Sequence, residues 1–397
     1  MVMDGTKRNI AIIGATGSVG GAVLASCYMH YDHFNVWALA AGSNVDGLLS
    51  LGEKFGSELL VLSDDVAATE LQKRVSDRFK TCGGTDALER IIQDPRCDEV
   101  VFASSGTDAL PALVMALKNG KKVFLANKEI IVAAGEWVMP YAEEGTIIPL
   151  DSEHNAVWQC LKGENRESVR KIHLTASGGP FLDLPDEELS EVTFDMAVRH
   201  PVWSMGSKIS IDSATLMNKG IEIIEARHLF SLPPEKIDAV VHPGSQVHAL
   251  VEFVDGSVKM LLSKPDMRLA ALSALGYSNR LQNNDFSLNP PEPKDLFLEF
   301  RQPDEKKFPC LKIAKEACRL GGAYPPLLIG ADEASVDLFM KGRIGFKDIP
   351  LMIQEVLGSF SGSAPASWEE ALYFVDLGRK SVFENISFTK RNPGRGK

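Results

Sequence analysis

The sequence lacks three features that mark special classes of protein. Its six cysteines include no C-x-x-C pair, so neither a zinc site nor a disulfide framework is indicated. No run approaches the roughly 20 apolar residues that a membrane span requires. Basic residues number 42 against 53 acidic ones, giving a formal net charge of −11. The charge therefore offers no sign of a nucleic-acid or acidic-membrane partner, and an anionic substrate would need a local cluster of donors.

The composition that is present is that of an ordinary globular chain. It has 397 residues, 45% apolar and 24% charged, which suits two or three domains of usual size. Isolated cysteines are typical of a reduced, intracellular protein, and we expect a cytoplasmic location. Lys7 and Arg8 before the apolar run 10–27 imitate a secretory signal peptide. The glycines within that run favour a strand, a turn and a helix instead.

The first 150 residues alternate short apolar runs with helical patterns. The run at 9–13 suits a strand buried on both faces, and 109–118 has the apolar spacing of a helix. Such alternation predicts an α/β fold, with a Rossmann-like, doubly wound parallel sheet in a domain spanning 1–150. The predicted strands are 9–13, 34–41, 59–62, 99–103, 122–126 and 146–150.

The rest of the chain has a different texture. Residues 151–282 combine polar loops with apparent strands at 245–254 and 257–262, and Asp255-Gly256 between them predicts a hairpin. We expect a central α+β catalytic domain there. Residues 283–309 are rich in proline and charge and read as a linker. From 310 to 397 the pattern is helical, which predicts a small C-terminal bundle with breaks at 324–326 and 358–367 and a frayed basic tail at 390–397.

A glycine-rich turn at 14–20 follows the first predicted strand and opens a helix. Glycine allows a tight turn there and lets a pyrophosphate approach the N–H groups of the helix N-terminus; a tight turn without a ligand is the alternative. The second strand is followed by no carboxylate before Asp46, where an NAD site usually carries one for the ribose 2′-hydroxyl. NADP(H) is therefore favoured, although no arginine stands there to pair with a 2′-phosphate.

Two carboxylates follow the strand at 146–150. In extended chain, Asp151 and Glu153 point to the same side, at the strand end where ligands of parallel sheets bind. Carboxylate oxygens suit Mg²⁺ or Mn²⁺. An Asp and a Glu that merely cap the following helix would give the same pattern.

A second group of polar residues lies between 175 and 225. The segment 199–208 combines His200, Trp203 and Gly206 in the manner of a mobile lid, unless Trp203 and Met205 simply pack on the core. Residues 212–219 supply hydroxyl, amide and ammonium donors suited to a phosphate, and 175–181 could add backbone N–H groups. Glu222 and Glu225 lie one helical turn apart, and spacing does not decide which would face a metal.

Taken together, these motifs are similar to those of a known family. The chain resembles 1-deoxy-D-xylulose-5-phosphate reductoisomerases over about its first 270 residues, and the helical C-terminal region also fits. The resemblance implies an NADPH- and divalent-metal-dependent oxidoreductase that rearranges and reduces 1-deoxy-D-xylulose 5-phosphate to 2-C-methyl-D-erythritol 4-phosphate, for non-mevalonate isoprenoid synthesis. It also implies a V-shaped homodimer and inhibition by fosmidomycin. The matching segments, in family order, are 14–20, 125–129, 151–156, 177–180, 200–206, 212–222 and 265–268.

The resemblance also implies roles for individual residues. The metal (Mg²⁺, Mn²⁺ or Co²⁺) would be held by Asp151, Glu153 and Glu222. The residues implied in catalysis are Lys128, Glu153, His200 and Glu222. The substrate-binding set, including the residues that would bind the phosphate, is Lys128, Ser152, Glu153, Ser177, His200, Trp203, Ser213, Asn218, Lys219 and Glu222. The NADPH set is Gly14, Thr16, Gly17, Ser18, Val19, Gly42, Ser43, Asn44, Asn127, Glu129 and Gly206.

Some residues depart from the family pattern, and two other classes share parts of it. Ser43 stands where a basic residue is common, which weakens the expected 2′-phosphate contact; Val202 and Asp332 each replace an asparagine. His248 corresponds to a histidine that matters for activity in the family, and we expect its role to be indirect. A semialdehyde dehydrogenase would need a reactive cysteine, and Cys160 follows an apolar run that suits burial. A non-catalytic NADPH sensor would need neither the candidate metal-binding carboxylates nor the residues suited to binding a substrate phosphate.

Overall fold

The computed structural model describes residues 7–75, 78–84, 86–203 and 205–391, with side chains up to Asn385. Residues 392–397 of the expected frayed tail at 390–397 and Ser204 of the expected lid lie outside the described residues. Among the described helices, none is both long and apolar enough to cross a bilayer.

The N-terminal part of the chain forms a seven-stranded parallel sheet, which confirms the predicted α/β class. Its strand order is β4-β3-β2-β1-β5-β6-β7. The strands are β1 Arg8–Ile13, β2 Phe34–Ala41, β3 Leu59–Leu62, β4 Lys80–Gly83, β5 Glu99–Phe102, β6 Lys122–Leu125 and β7 Ile147–Pro149. The helices are α1 Ser18–Met29, α2 Val45–Phe55, α3 Asp65–Arg74, α4 Asp86–Gln93, α5 Leu110–Lys118, α6 Lys128–Val138 and α7 Ser152–Cys160.

The strands of this sheet are buried on both faces. Ile10, Ile12, Leu39 and Leu60 are fully buried, as strands covered by helices on both faces require.

The chain runs outward from β1 to β4 and then returns to β5, on the other side of β1. The strand order reverses there, so the turns after β1 and β5 form the crevice where open α/β sheets bind ligands.

A second, four-stranded sheet follows in the order β11-β10-β8-β9. Strands β8 and β9 are parallel, whereas β10 runs antiparallel to both β8 and β11. The predicted hairpin joins β10 to β11, with Gly256 at a φ of +87° that few other residues adopt. The strands are β8 Val169–Ala176, β9 Ile237–Val241, β10 Val247–Phe253 and β11 Val258–Leu262; the helices are α8 Phe194–Ala197, α9 Ser207–Ala214, α10 Met217–Phe230 and α11 Met267–Leu275.

Four helices complete the chain and confirm the expected helical C-terminal region. Gly330 and Gly378 lie where two of them meet at backbone distance. A Cβ on Gly330 would lie 1.8 Å from the carbonyl oxygen of Val375, and one on Gly378 would lie 2.4 Å from that of Leu327. The helices are α12 Pro309–Leu320, α13 Tyr324–Met340, α14 Asp348–Ser359 and α15 Trp368–Arg391.

The chain folds into two compact units, each made of several segments. The first unit comprises the chain up to Ile130 together with Pro140–Trp158 and Asp266–Pro290. The second comprises Ile131–Met139, Gln159–Pro265 and the described chain from Pro291 onward. The domain boundaries expected after residues 150, 282 and 309 stay predictions, because compactness alone does not show which parts fold independently.

Candidate active site

The glycine-rich turn is built by close backbone contacts in the first unit. Gly14 has a φ of +89°, and a Cβ there would lie 2.4 Å from the backbone of Ala103. A Cβ on Gly20 would lie 2.3 Å from the carbonyl oxygen of Gly14, so α1 packs directly on the turn. Gly17 is the N-cap residue of α1, and both Gly17 and Ser18 are exposed. The first-turn N–H groups of α1 are thus presented beside Thr16 to Val19, as an anion requires.

The loop after β2 is exposed at Gly42, Ser43 and Asn44. Asn44 caps α2, since its Oδ1 accepts a hydrogen bond from the N–H of Gly47 at 2.9 Å. The first acidic residue after this loop, Asp46 in the first turn of α2, forms an ion pair with Arg74 at the end of α3. The sequence did not reveal this pair, because the rest of α2, strand β3 and helix α3 lie between the two residues.

The end of β6 supplies two buried polar side chains. Asn127 donates to the carbonyl oxygen of Gly106 at 2.9 Å and accepts from the N–H of Ile130 at 3.2 Å. It therefore links the segment after β5 to the start of α6. The next residue, Lys128, is also buried, and its Nζ lies 2.8 Å from Oδ2 of Asp151. Glu129 beside it is half-buried.

Asp151 uses its two carboxylate oxygens differently. Oδ1 accepts from the N–H groups of Glu153 and His154, at 3.2 and 3.3 Å, and so caps α7. Oδ2 contacts Lys128, as described. The hydroxyl of Ser152 donates to Oε2 of Glu153 at 2.7 Å. The capping interpretation of this motif is therefore correct for Asp151, whose second oxygen contacts Lys128, and the Glu153 carboxylate accepts from Ser152.

In the second unit, His200 connects the expected lid with two serines. Its Nδ1 lies 3.2 and 2.9 Å from the backbone nitrogens of Val202 and Trp203, which donate to it. Nε2 lies 2.9 Å from Oγ of Ser177 and 3.1 Å from Oγ of Ser213. Because Nδ1 accepts, the proton of the neutral ring is on Nε2, facing the serines. Burial lowers the pKa of His200 to about 4, so the ring is neutral near pH 7.

The glycines after Ser177 shape the loop that follows β8. Gly178 and Gly179 have φ values of +88° and +70°. The N–H of Gly179 donates to Oγ of Ser177 at 3.2 Å, and a Cβ on Gly179 would lie 2.8 Å from the carbonyl oxygen of Ser213. The loop can therefore approach the end of α9 only with glycine at this position.

Helix α10 brings three more of the predicted residues together. Lys219 and Glu222 are buried and form an ion pair. Asn218 Nδ2 donates to Glu222 Oε1 at 2.6 Å. Glu225, the alternative metal ligand, is fully buried as well, so burial does not choose between the two.

The remaining lid residues are only partly packed. Trp203 and Met205 are half-buried, and the ring centroid of Trp203 lies 6.4 Å from that of His248. Gly206 is the exposed N-cap residue of α9. Lys208, two residues after Gly206, belongs to an ion-pair network that the sequence did not predict. Its Nζ lies 2.7 Å from carboxylate oxygens of both Asp212 and Asp332. Lys208 and Asp212 have i,i+4 spacing within α9, but no local pattern could have revealed Asp332, which comes from α13.

Cys160 does not fit the alternative of a cysteine-dependent dehydrogenase. Its side chain is buried, and burial raises the pKa of the thiol above the ordinary value. A reactive thiolate needs the opposite environment.

The fold and these residues are those of a nucleotide-dependent α/β enzyme with a separate group of polar hydrogen-bonding residues in its second unit. Models of 1-deoxy-D-xylulose 5-phosphate reductoisomerase match residues 10–135, 147–230 (its C-terminal domain) and 262–381 (the DXP reductoisomerase C-terminal domain). The chain is 41% identical to the enzyme of this name from Ruthia magnifica, over 92% of this chain and 95% of the relative. It is 42% identical to the Porphyromonas gingivalis enzyme, over 88% and 91%.

Solved structures agree with these relatives. A crystal structure of DOX-P reductoisomerase in complex with NADPH, fosmidomycin and magnesium is 37% identical, with a TM-score of 0.90 over 97% of this chain and 99% of that one. The Zymomonas mobilis reductoisomerase in complex with NADPH is 35% identical, with a TM-score of 0.88 over 96% and 99%. The chain belongs to the 1-deoxy-D-xylulose 5-phosphate reductoisomerase family. The expected family and enzyme class, an NADPH-dependent oxidoreductase, are confirmed.

Proposed function

We propose that this chain converts 1-deoxy-D-xylulose 5-phosphate to 2-C-methyl-D-erythritol 4-phosphate, using NADPH and a divalent cation. Family membership supports the reaction, and relatives of known structure bind NADPH and magnesium. One observation on this chain carries the proposal furthest. Ser177, His200 and Ser213 come from three separate segments, and the fold joins them within hydrogen-bond distance as donors suited to a phosphate.

We propose that NADPH binds along the carboxyl edge of the seven-stranded sheet. The turn at 14–20 would receive the pyrophosphate at the N-terminus of α1, and Gly42, Ser43 and Asn44 would flank the adenosine ribose. The pairing of Asp46 with Arg74 supports NADPH over NADH, because the nearest carboxylate is already engaged by a cation. Asn127, Glu129 and Gly206 complete the proposed set. When bound, NADPH supplies the hydride.

We propose Asp151, Glu153 and Glu222 as the ligands of the divalent cation. All three offer carboxylate oxygens, the donors that Mg²⁺ and Mn²⁺ prefer, and Asp151 keeps an oxygen beyond its capping role. Lys128 and Lys219 each contact one of these carboxylates, so the set of five groups carries one negative charge in excess. A bound cation would supply Lewis-acid stabilisation of negative charge on the substrate oxygens.

The chain's own residues would bind and orient the substrate. We propose that Ser177, Ser213, Asn218 and Lys219 hold the phosphate, with His200 donating from Nε2 and fixing the serine hydroxyls. Lys128 and Ser152 would contact substrate hydroxyl groups. Trp203 would cover the substrate and exclude water when the lid closes, so that phosphate binding drives orientation of the reacting carbons.

We further propose that the chain forms a homodimer and works in the cytoplasm. Strand β11 ends the four-stranded sheet and leaves Val258 and Met260 nearly half exposed, which suits pairing with a second copy. All six cysteines are free, in keeping with a reducing compartment. Light scattering of the wild type and of Met260→Lys tests the dimer; a monomeric wild type would reject it.

The central experiment follows nicotinamide absorbance with 1-deoxy-D-xylulose 5-phosphate, with Mg²⁺ or Mn²⁺ and after chelation. We expect NADPH oxidation that needs both substrate and cation and yields a branched polyol phosphate. A control without substrate measures background oxidation. Turnover that persists after complete chelation would reject the metal role, and absence of turnover with every cation would reject the reaction.

A further inference from the structure

The turn between α1 and β2 gathers two histidines and an aspartate away from the residues discussed above. His30, Asp32 and His33 each offer one ligand atom, and these atoms lie within 4.8 Å of one another. The N–H of His33 donates to the carbonyl oxygen of His30 at 2.9 Å, which closes a β-turn. Three potential ligands therefore come from four consecutive residues, and their backbone is already ordered.

His30 gives an independent sign that something binds there. It is only 6% exposed, and its buried Nε2 has no hydrogen-bond partner among the described residues. A buried imidazole nitrogen without a hydrogen-bond partner can offer its lone pair to a metal ion.

A cavity of about 330 Å³ adjoins the cluster and is lined by both histidines. Asn279, Gln282 and Asn284 also line it, so an ion there would have polar neighbours and room for water ligands. Arg8 lines the same cavity, but Glu99 lies 2.8 Å from its guanidinium and compensates its charge. Arg280 is the other charged lining residue.

We propose that His30, Asp32 and His33 bind a divalent transition-metal ion of the Zn²⁺ or Ni²⁺ type, with water at its remaining positions. Two imidazoles and one carboxylate suit these borderline ions, whereas Mg²⁺ prefers oxygen ligands throughout. The site differs in ligand chemistry from the all-carboxylate set proposed for catalysis and does not depend on it. A bound ion would link the end of α1 to the start of β2.

The test titrates Ni²⁺ calorimetrically into the full-length protein in excess Mg²⁺, which occupies sites made only of oxygen ligands. The wild type should bind one Ni²⁺ that His33→Asn and Asp32→Asn bind at least about 100-fold more weakly, since even outer-shell changes cost about 10- to 100-fold. His173→Asn is the matched control: His173 pairs with Glu252 on the second sheet and should not matter. Ni²⁺ should also raise the unfolding temperature of the wild type and the control, but not of the two variants.

His33 and Asp32 are the positions to change, because both are partly exposed and the variants should fold. Equal Ni²⁺ affinity in the wild type, His33→Asn and Asp32→Asn would overturn the proposal. So would loss of Ni²⁺ binding in Cys82→Ser with retention in His33→Asn, because Cys82 is the one thiol that is not buried.

Discussion

The two ring nitrogens of His200 have separate partners, so two substitutions can test them separately. Nδ1 accepts from the N–H groups of Val202 and Trp203, whereas Nε2 faces the hydroxyls of Ser177 and Ser213. A glutamine amide reaches about as far as Nε2 and can still donate to the serines. An asparagine amide reaches only as far as Nδ1 and can still accept from the lid backbone.

The hydrogen bonds lost set the expected size of each effect. His200→Gln removes the acceptor for two backbone N–H groups, each worth about 0.5–1.5 kcal/mol, so the closed lid loses about 1–3 kcal/mol. That corresponds to a KM for the sugar phosphate raised about 5- to 150-fold. His200→Asn removes one shared N–H donor, about 0.5–1.5 kcal/mol, or about 2- to 13-fold in KM. We therefore expect the glutamine variant to be the worse of the two.

Steady-state NADPH oxidation measures both KM and kcat for these variants. The lid acts on substrate binding, so KM should rise more than kcat falls. His173→Gln is the control, as another histidine of the second unit with a side-chain partner. The reasoning fails if KM in His200→Gln stays within about twofold of the wild type, or if the asparagine variant has the higher KM.

Three further predictions concern the metal, the helices and acid stability. Asp151→Asn should abolish turnover at limiting Mn²⁺ but leave NADPH affinity, measured by fluorescence, nearly unchanged; normal turnover would contradict the assignment. Gly330→Ala should lower the free energy of unfolding by about 1–3 kcal/mol or more, because its Cβ meets a backbone carbonyl, whereas Gly358→Ala in α14, with open space around it, should be neutral or stabilising. Burial lowers the pKa of His228 to about 4 from 6.5. Between pH 6.5 and 4 this histidine is then protonated in the unfolded chain but not in the folded one. The free energy of unfolding, measured with denaturant, should therefore fall as the pH falls from 6.5 to 4, and it should fall less steeply in His228→Gln.

The parts of the fold that sequence could predict are those with continuous local signals. Strands β2 and β3 have the expected bounds because apolar runs buried on both faces stand out from their surroundings. Strand β4 was missed, since Lys80–Gly83 is short, partly exposed and ends in glycine. The pairing of β8 with β9 was missed because it joins segments more than 60 residues apart.

For the candidate site, the sequence predicted a set of residues, and the structure adds the hydrogen-bond and ion-pair partners of several of them. The motif around Asp151 is local, so its capping and ligand readings could both be stated, and the structure shows one oxygen given to the cap. Partners from distant elements could not be foreseen: Lys208 meets Asp332 and Asp46 meets Arg74 only after helices pack. Such pairs depend on tertiary geometry, which periodicity and motif spacing do not encode.

These pairings bear on how the proposed phosphate-binding residues of the second unit would work. In a chain of net charge −11, a cluster of free cations would be the simplest way to attract a phosphate. Lys219 is instead matched by Glu222, and His200 is neutral because burial lowers its pKa. The proposed phosphate recognition by these residues would therefore depend mainly on directed N–H and O–H donors held in place by buried neighbours. Because such donors are short-ranged, they favour a correctly placed phosphate over anions in general.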